Sequence, residues 1–334
     1  MSLDLVPVWT ALLGFGVFMY VLLDGFDLGV GILFLFAPDE PARDLMMASV
    51  APIWDGNETW LVFGGLALFS AFPLAFAIII PALYFPLLAM LLGLIFRGVA
   101  FEFRAGAPKH SKHWDYAFFG GSLLATFAQG CVLGKFILGF EVQGRQYAGT
   151  SWDWLHPFVF LVGVGLVFGY VLLGATWLVM KTEGALQAWA RSVARMGLIV
   201  TLGFIGLVSV WTPLLDARIA TRWFSWPNLA FFAPVPIATA TVAGGLWLAL
   251  RQQRDIAPFV AAMGLFALGY LGLAISLFPY IVPPTVTLWD AAAAPTSQAF
   301  LLIGTLFLLP IILMYTGWSY WVFRGKVKAD SGYH

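Results

Sequence analysis

Cysteine is all but absent from the sequence. Cys131 stands alone, which excludes an intrachain disulfide and leaves the redox compartment unreadable. Charge is scarce as well: 10% of the 334 residues are charged and 61% are hydrophobic, with a mean hydropathy of +0.90. A soluble globular domain carries about a quarter charged residues, so this chain cannot clothe a water-facing surface of its own size. Its class is polytopic membrane protein. Histidine is limited to four positions, His110, His113, His156 and His334, none in the middle of an apolar run. That excludes a b-type haem held by two buried histidines of this chain. There is no CxxCH, no Cys/His cluster with metal-ligand spacing and no glycine-rich phosphate loop, so no metal site is expected. The nine methionines read as packing. A net charge of zero gives no argument for a nucleic-acid partner. The start, "MSLDLVPVW", lacks a basic region and a small-residue cleavage site, and reads as the beginning of a retained span.

What is abundant is apolar sequence in span-length runs. A transmembrane helix needs about 20 mainly apolar residues. Nine runs qualify, at 7–36, 52–72, 74–103, 116–140, 155–180, 194–215, 230–250, 258–280 and 298–323. The apolar stretch from Leu61 to Phe103 would be about 65 Å long as one helix, twice the hydrocarbon thickness. Pro73 marks the expected turn inside it, because proline disfavours helix at the residue before it. Span two then opens on "PIWDGNETW", polar enough to escape a hydropathy scan. With the N-terminus outside (periplasmic), twelve basic residues fall in inner segments: Arg43, Arg104, Lys109, Lys112, Lys181, Arg191, Arg195, Arg251, Arg254, Arg324, Lys326 and Lys328. Only Arg145, Arg218 and Arg222 fall outside. The positive-inside rule therefore places the C-terminus in the cytoplasm. Merging spans two and three would reverse every later segment. Tryptophans near the predicted ends fit an aromatic belt. The longest connection, 281–297, is short, so residues 1–334 read as one transmembrane domain, an all-α bundle of nine helices.

Charges inside such runs are costly, roughly 2.5–3.5 kcal/mol for an acid at a helix centre. Asp24 and Asp27 lie deep in span one, leaning toward the cytoplasm. Asp55, Asn57 and Glu58 occupy the first two turns of span two, and Arg97 and Glu102 the last two turns of span three. Six charged groups on three consecutive helices thus share one cytoplasmic-side neighbourhood. Asp24 and Asp27, three apart, project from one helix face, as do Asp55 and Glu58. Two carboxylates that close in a low dielectric resist ionising together, and a neighbouring Arg97 favours the charged form of one. Such unequal, coupled acids suit inward proton transfer. The alternative is structural: caps for Asp55 and Glu58, headgroup contact for Glu102, interhelical hydrogen bonds for the deeper pair. Gly25 with Gly29, and Gly165 with Gly169, read as small-residue packing surfaces. Lys135 reads as a snorkelling residue beside Glu141.

Three segments together resemble the signature of subunit II of cytochrome bd quinol oxidase: "LLDGFDLGVGIL" at 22–33, "APIWDGNETWLV" at 51–62 and "FRGVAFEFR" at 96–104. The C-terminal "LFPYIVPP…LWDAAAAPTSQAFLL" (277–302) is similar to that family's last hairpin. The glutamate of "WDGNETW" resembles the cyanide-insensitive branch, other members having glutamine there. The segment between spans six and seven is shorter than in longer members. The resemblance implies a haem-free, nine-helix partner of a subunit I that carries two b-type haems and one d-type haem. It implies a complex of the bacterial cytoplasmic (inner) membrane that oxidises quinol near the outer face and reduces dioxygen to water with cytoplasmic protons. It implicates the second aspartate of DGFD, the aspartate of WDG and the arginine of FRxxxF, here Asp27, Asp55 and Arg97, in a proton path at the shared interface. A bound quinone, bound lipid and a small accessory subunit are left open. The expected proton route enters at Asp55 and Glu58 and continues to Asp27 and Asp24, tuned by Arg97. Two rivals remain, a proton-coupled secondary transporter and a purely structural scaffold. Transporters commonly show inverted repeats and paired broken helices, and neither is visible in this sequence.

Overall fold

A computed structural model describes residues 4–106 and 111–327. Lys109, His110, Lys328 and His334 lie outside the described residues. The first helix, α1 (Val6–Leu33), is followed by a short 3-10 turn, Phe34–Phe36. Then come α2 (Glu40–Val50), α3 (Trp54–Ala71), α4 (Pro73–Ala82) and α5 (Tyr84–Gly106). They are followed by α6 (Ser111–Leu138), α7 (Pro157–Lys181) and α8 (Gly184–Leu215). The last third holds α9 (Ala217–Phe224), α10 (Asn228–Phe232), α11 (Pro234–Arg251), α12 (Ala257–Leu277), α13 (Leu288–Ala291) and α14 (Pro295–Val322). Two small antiparallel hairpins, β1 (Val142–Gln143) with β2 (Gln146–Tyr147) and β3 (Tyr280–Val282) with β4 (Val286–Thr287), sit in connections.

Among the described residues eight helices are long and apolar enough to cross a membrane: α1, α5, α6, α7, α8, α11, α12 and α14. The 18-residue α3 is not among them because its first turns carry the polar "WDGNET". The fold is an all-helical, polytopic membrane bundle.

The expected run 74–103 is two helices rather than one. The chain breaks at Phe72 (φ −131, ψ 59), immediately before Pro73. It breaks again at Leu83 (φ −111, ψ 19). Pro86 has no N–H for the Ala82 carbonyl and its ring crowds that group, which favours a break there. The short α4 packs against β2, β3 and α13, and α5 alone makes the long run. At the other boundary of note, α8 starts ten residues before the expected 194, taking Arg191 and Arg195 into its first turns. The intervening α2 was not foreseen; Asp39 caps it by accepting from the Ala42 N–H at 2.8 Å.

The helix ends collect in two groups. At one end, Trp9 Nε1 donates to the Gln298 carbonyl at 3.2 Å and Phe140 N–H to the Pro283 carbonyl at 2.8 Å. There Ala293 N–H also reaches the Ala71 carbonyl at 2.9 Å, and Arg218 the Pro284 carbonyl at 2.9 Å. At the other end, Arg104 bonds Asp115 and Asp44 at 2.7 and 2.8 Å, and Arg191 donates to the Arg254 carbonyl at 2.7 Å. The chain leaving α14 is held there by Lys181, whose Nζ donates to the Phe323 carbonyl at 2.6 Å.

The centre of the bundle is α1, buried continuously from Leu22 to Leu33 and packed on α3, α6 and α7. Its contact with α7 depends on glycine. A Cβ on Gly29 would stand 1.8 Å from the Tyr170 carbonyl oxygen, and one on Gly174 2.4 Å from the Gly29 carbonyl carbon. The two backbones touch at Gly29, which is the small-residue packing expected there, while Gly25 faces the Tyr170 ring. Gly165 and Gly169 face side chains instead, Phe204 and Phe266.

Candidate functional site

The buried stripe of α3 runs through Asn57, Trp60, Phe63, Gly64, Ala67 and Ala71. It docks against α1 at the level of the two aspartates. Asp24, Asp27 and Arg97 are all 0% exposed, and Asn57 is 1% exposed. Ionisable groups this deep persist only with partners, and the partners are present. Arg97 of α5 donates from Nη1 to Asp24 Oδ1 at 2.5 Å and from Nη2 to Glu58 Oε2 at 2.7 Å. One guanidinium thereby joins α1, α3 and α5. The Trp54 ring covers it, with the guanidinium carbon 5.8 Å from the ring centroid, and Trp54 stacks on Phe101 at 4.8 Å.

Asp27 has a separate partner. Asn57 Nδ2 donates to Asp27 Oδ2 at 2.7 Å and to the Leu23 carbonyl at 3.3 Å. Tyr320 of α14 donates its hydroxyl to Asn57 Oδ1 at 2.9 Å. One turn before Asp24 on the same face of α1, the Tyr20 hydroxyl accepts from Gln129 of α6 at 2.7 Å, and Gln129 accepts in turn from Tyr170 at 3.0 Å. Each aspartate has one oxygen engaged, while Asp24 Oδ2 and Asp27 Oδ1 have no hydrogen-bond partner among the described residues.

Of the six candidates, Asp24, Glu58 and Arg97 come into direct contact, and Asp27 joins the cluster through Asn57 and its position one turn from Asp24. Asp55 and Glu102 do not join: both side chains are exposed on the isolated chain. Among the described residues the Asp55 side chain has no hydrogen bond; its backbone carbonyl accepts from the Thr59 hydroxyl at 3.0 Å. Sequence reasoning noted Asn57 without giving it a role and missed Tyr20, Trp54, Gln129, Tyr170 and Tyr320. Gln129 was the legible one, a lone amide in an apolar span; the tyrosines and Trp54 are hidden among many other aromatic residues.

A family model described as cytochrome bd terminal oxidase subunit II matches residues 5–323. The chain belongs to that family. It is 30% identical over 362 residues to "Cytochrome bd-I ubiquinol oxidase subunit 2" of Escherichia coli (strain K12), covering 97% of this chain and 95% of the relative. It is 30% identical over 342 residues to "Cytochrome bd ubiquinol oxidase subunit 2" of Bacillus subtilis (strain 168), covering 97% and 96%. The fold is shared with the bd oxidase from Geobacillus thermodenitrificans, with a TM-score of 0.73 at 19% identity, covering 96% of this chain and 100% of that one. The protein is thus a multi-pass membrane subunit of a cytochrome bd-type terminal quinol oxidase, an oxidoreductase complex with a partner subunit.

Cytochrome bd implies haem within the complex. The described residues of this chain do not fit one by histidine ligation: His113 is exposed, and His156 Nδ1 accepts from the Phe158 N–H at 3.2 Å as the cap of α7. Among the described residues no three His, Cys, Asp or Glu side chains are placed to hold a metal ion.

Proposed function

We propose that this chain is the haem-free subunit II of the oxidase, bracing a haem-bearing subunit I and supplying part of a cytoplasmic proton path. The two b-type haems and one d-type haem then belong to subunit I, where dioxygen is reduced. The reading includes nine crossings of the bacterial inner membrane in one domain, with the N-terminus periplasmic and the C-terminus cytoplasmic. Two facts support that topology: successive connections alternate between the two ends of the bundle, and basic residues concentrate on one of them.

The observation that carries the proton path is the fully buried Arg97, shared between Asp24 and the partly exposed Glu58. Within the buried cluster, Glu58 is the group a proton from the inner side would reach first. Arg97 bonds to both carboxylates, so a proton arriving at either weakens one arm of the fork and strengthens the other. Asp27, polarised by Asn57, is the next acceptor along α1. Asp55 stands on the outward face of α3, beside Val62, Leu66 and Phe69, all exposed. An exposed acid on such an apolar face needs cover in a membrane. This face of α3, together with α14, is the surface proposed for subunit I, with Asp55 and Glu102 at the inner mouth of the path.

Glu58→Gln and Asp27→Asn in the assembled oxidase test the reading. Turnover and proton uptake should fall by about tenfold or more, with the haem absorption spectrum unchanged. Normal turnover with full haem removes the residue from the path. Lost haem supports the scaffold reading instead.

A further inference from the structure

Where α14 ends, the chain folds back across the end of α7. Val327 N–H donates to the Lys181 carbonyl at 2.8 Å, and Lys326 Nζ to the Thr182 carbonyl at 3.0 Å. Beneath this fold lies a cavity of about 410 Å³, whose lining includes Lys181, Arg324, Lys326, Trp177, Tyr320 and Phe323.

The charges around it do not balance. Among the described residues Asp255 is the one acid in the lining, and it is already engaged by two cations, Lys326 at 2.7 Å and Arg191. Lys181 and Arg324 have carbonyl acceptors, Phe323 at 2.6 Å and Trp321 at 2.8 Å. Among the described residues neither has a carboxylate partner. Lys181 is only 7% exposed, and an ammonium that deep without a counter-charge is costly. Apart from Ser49, the remaining walls are mainly apolar, Ile53, Met180 and Ile256 among them, with Ile256 and Phe323 exposed at the rim.

We propose that this cavity seats the phosphate headgroup of an anionic phospholipid. The phosphate would face Lys181 and Arg324, and the glycerol and upper acyl carbons would cover the apolar rim. Basic cavities between transmembrane helix ends take such headgroups. A free phosphate satisfies the cations and leaves the rim in water, so the lipid is the source the lining favours. The inference needs only the membrane-spanning bundle and is independent of the proton path.

The test is native mass spectrometry of the intact oxidase complex released from nanodiscs of phosphatidylglycerol or of phosphatidylcholine. The wild type should retain phosphatidylglycerol and not phosphatidylcholine. The double variant Lys181→Gln with Arg324→Gln should retain it roughly tenfold less or weaker still, and Lys181→Arg should retain it fully. The bonds from the Val327 N–H and Lys326 Nζ go to the backbone carbonyls of residues 181 and 182, which the substitutions leave in place, so the fold-back keeps them, and an unchanged haem spectrum verifies assembly. Equal retention by wild type and double variant overturns the proposal. So does equal retention of the two lipids. Thermal stabilisation by inorganic phosphate that matches the lipid's, with no lipid retained, overturns the lipid in favour of the free anion.

Discussion

Arg97 and Asp24 are separated by 73 residues of chain and meet at 2.5 Å, each completely buried. The pair, extended to Glu58, ties three helices at one point inside the bundle. Removing the arginine leaves Asp24 without its counter-charge in a low dielectric. Breaking a buried pair this way costs about 3–5 kcal/mol, whereas removing both partners is far better tolerated. Arg97→Gln should therefore destabilise the complex severely, and Arg97→Gln with Asp24→Asn less than Arg97→Gln alone. Thermal unfolding of the detergent-solubilised oxidase, followed by haem absorption, reads both.

Asn57 serves two sides at once, donating to Asp27 and accepting from Tyr320. Asn57→Leu strands a buried carboxyl and a hydroxyl, each unsatisfied group costing about 1–3 kcal/mol, while the Leu23 carbonyl keeps its bond within α1. Tyr320→Phe deletes one hydrogen bond worth about 0.5–1.5 kcal/mol. Stability should fall clearly more in Asn57→Leu, and the double variant should cost no more than Asn57→Leu alone, since the bond is already gone. A double-mutant cycle on unfolding temperature checks this, and additive losses would separate the two residues.

The intramembrane charges were legible because an apolar background makes any ionisable residue conspicuous. Their pairing was not, because it depends on helix rotation. The inward stripe of α3 is set by Asn57, Trp60 and Gly64. Asp55, two residues before Asn57, is rotated about 200° from that stripe, and Glu58, one residue after, about 100°. Glu58 has a side chain long enough to turn back to Arg97; Asp55 does not. Glu102 is likewise about 140° around α5 from Arg97. The i, i+3 rule that grouped Asp55 with Glu58 is sound for the helix surface but does not say which neighbour each side chain finds. The break at Leu83 was legible in principle from Pro86, had its effect on the carbonyl four residues earlier been weighed as Pro73 was.

Backbone contact between α1 and α7 sets the position of Asp27, two residues before Gly29. Gly29→Ala puts a methyl group 1.8 Å from the Tyr170 carbonyl oxygen. The helices must separate, at a cost of at least about 1–3 kcal/mol, and the Asp27–Asn57 bond moves with them. Gly203→Ala in α8 meets nothing within 4 Å and should be neutral or stabilising by up to about 1 kcal/mol through helix propensity. Expression and haem incorporation of the two variants should diverge accordingly; an intact Gly29→Ala oxidase would contradict the close contact.

Acid pH should release the fold-back after α14, and only at low values. Asp255 lies in the connection between α11 and α12, where the hydrogen bond from Lys326 and the charges of Lys326 and Arg191 hold its carboxyl below the ordinary range, against a smaller desolvation effect. A carboxyl depressed in the folded state contributes stability above its unfolded value and loses it as pH falls through the folded one. The unfolded value is about 3.9. The clamp on residues 323–327 is thus fully present at neutral pH and persists down to about pH 4. Hydrogen exchange of the Val327 amide, corrected for its intrinsic rate, should show protection that is flat across that range and lost below it. Asp255→Asn should lower protection at neutral pH and abolish the acid step. A protection loss near pH 6 would assign the clamp to some other group.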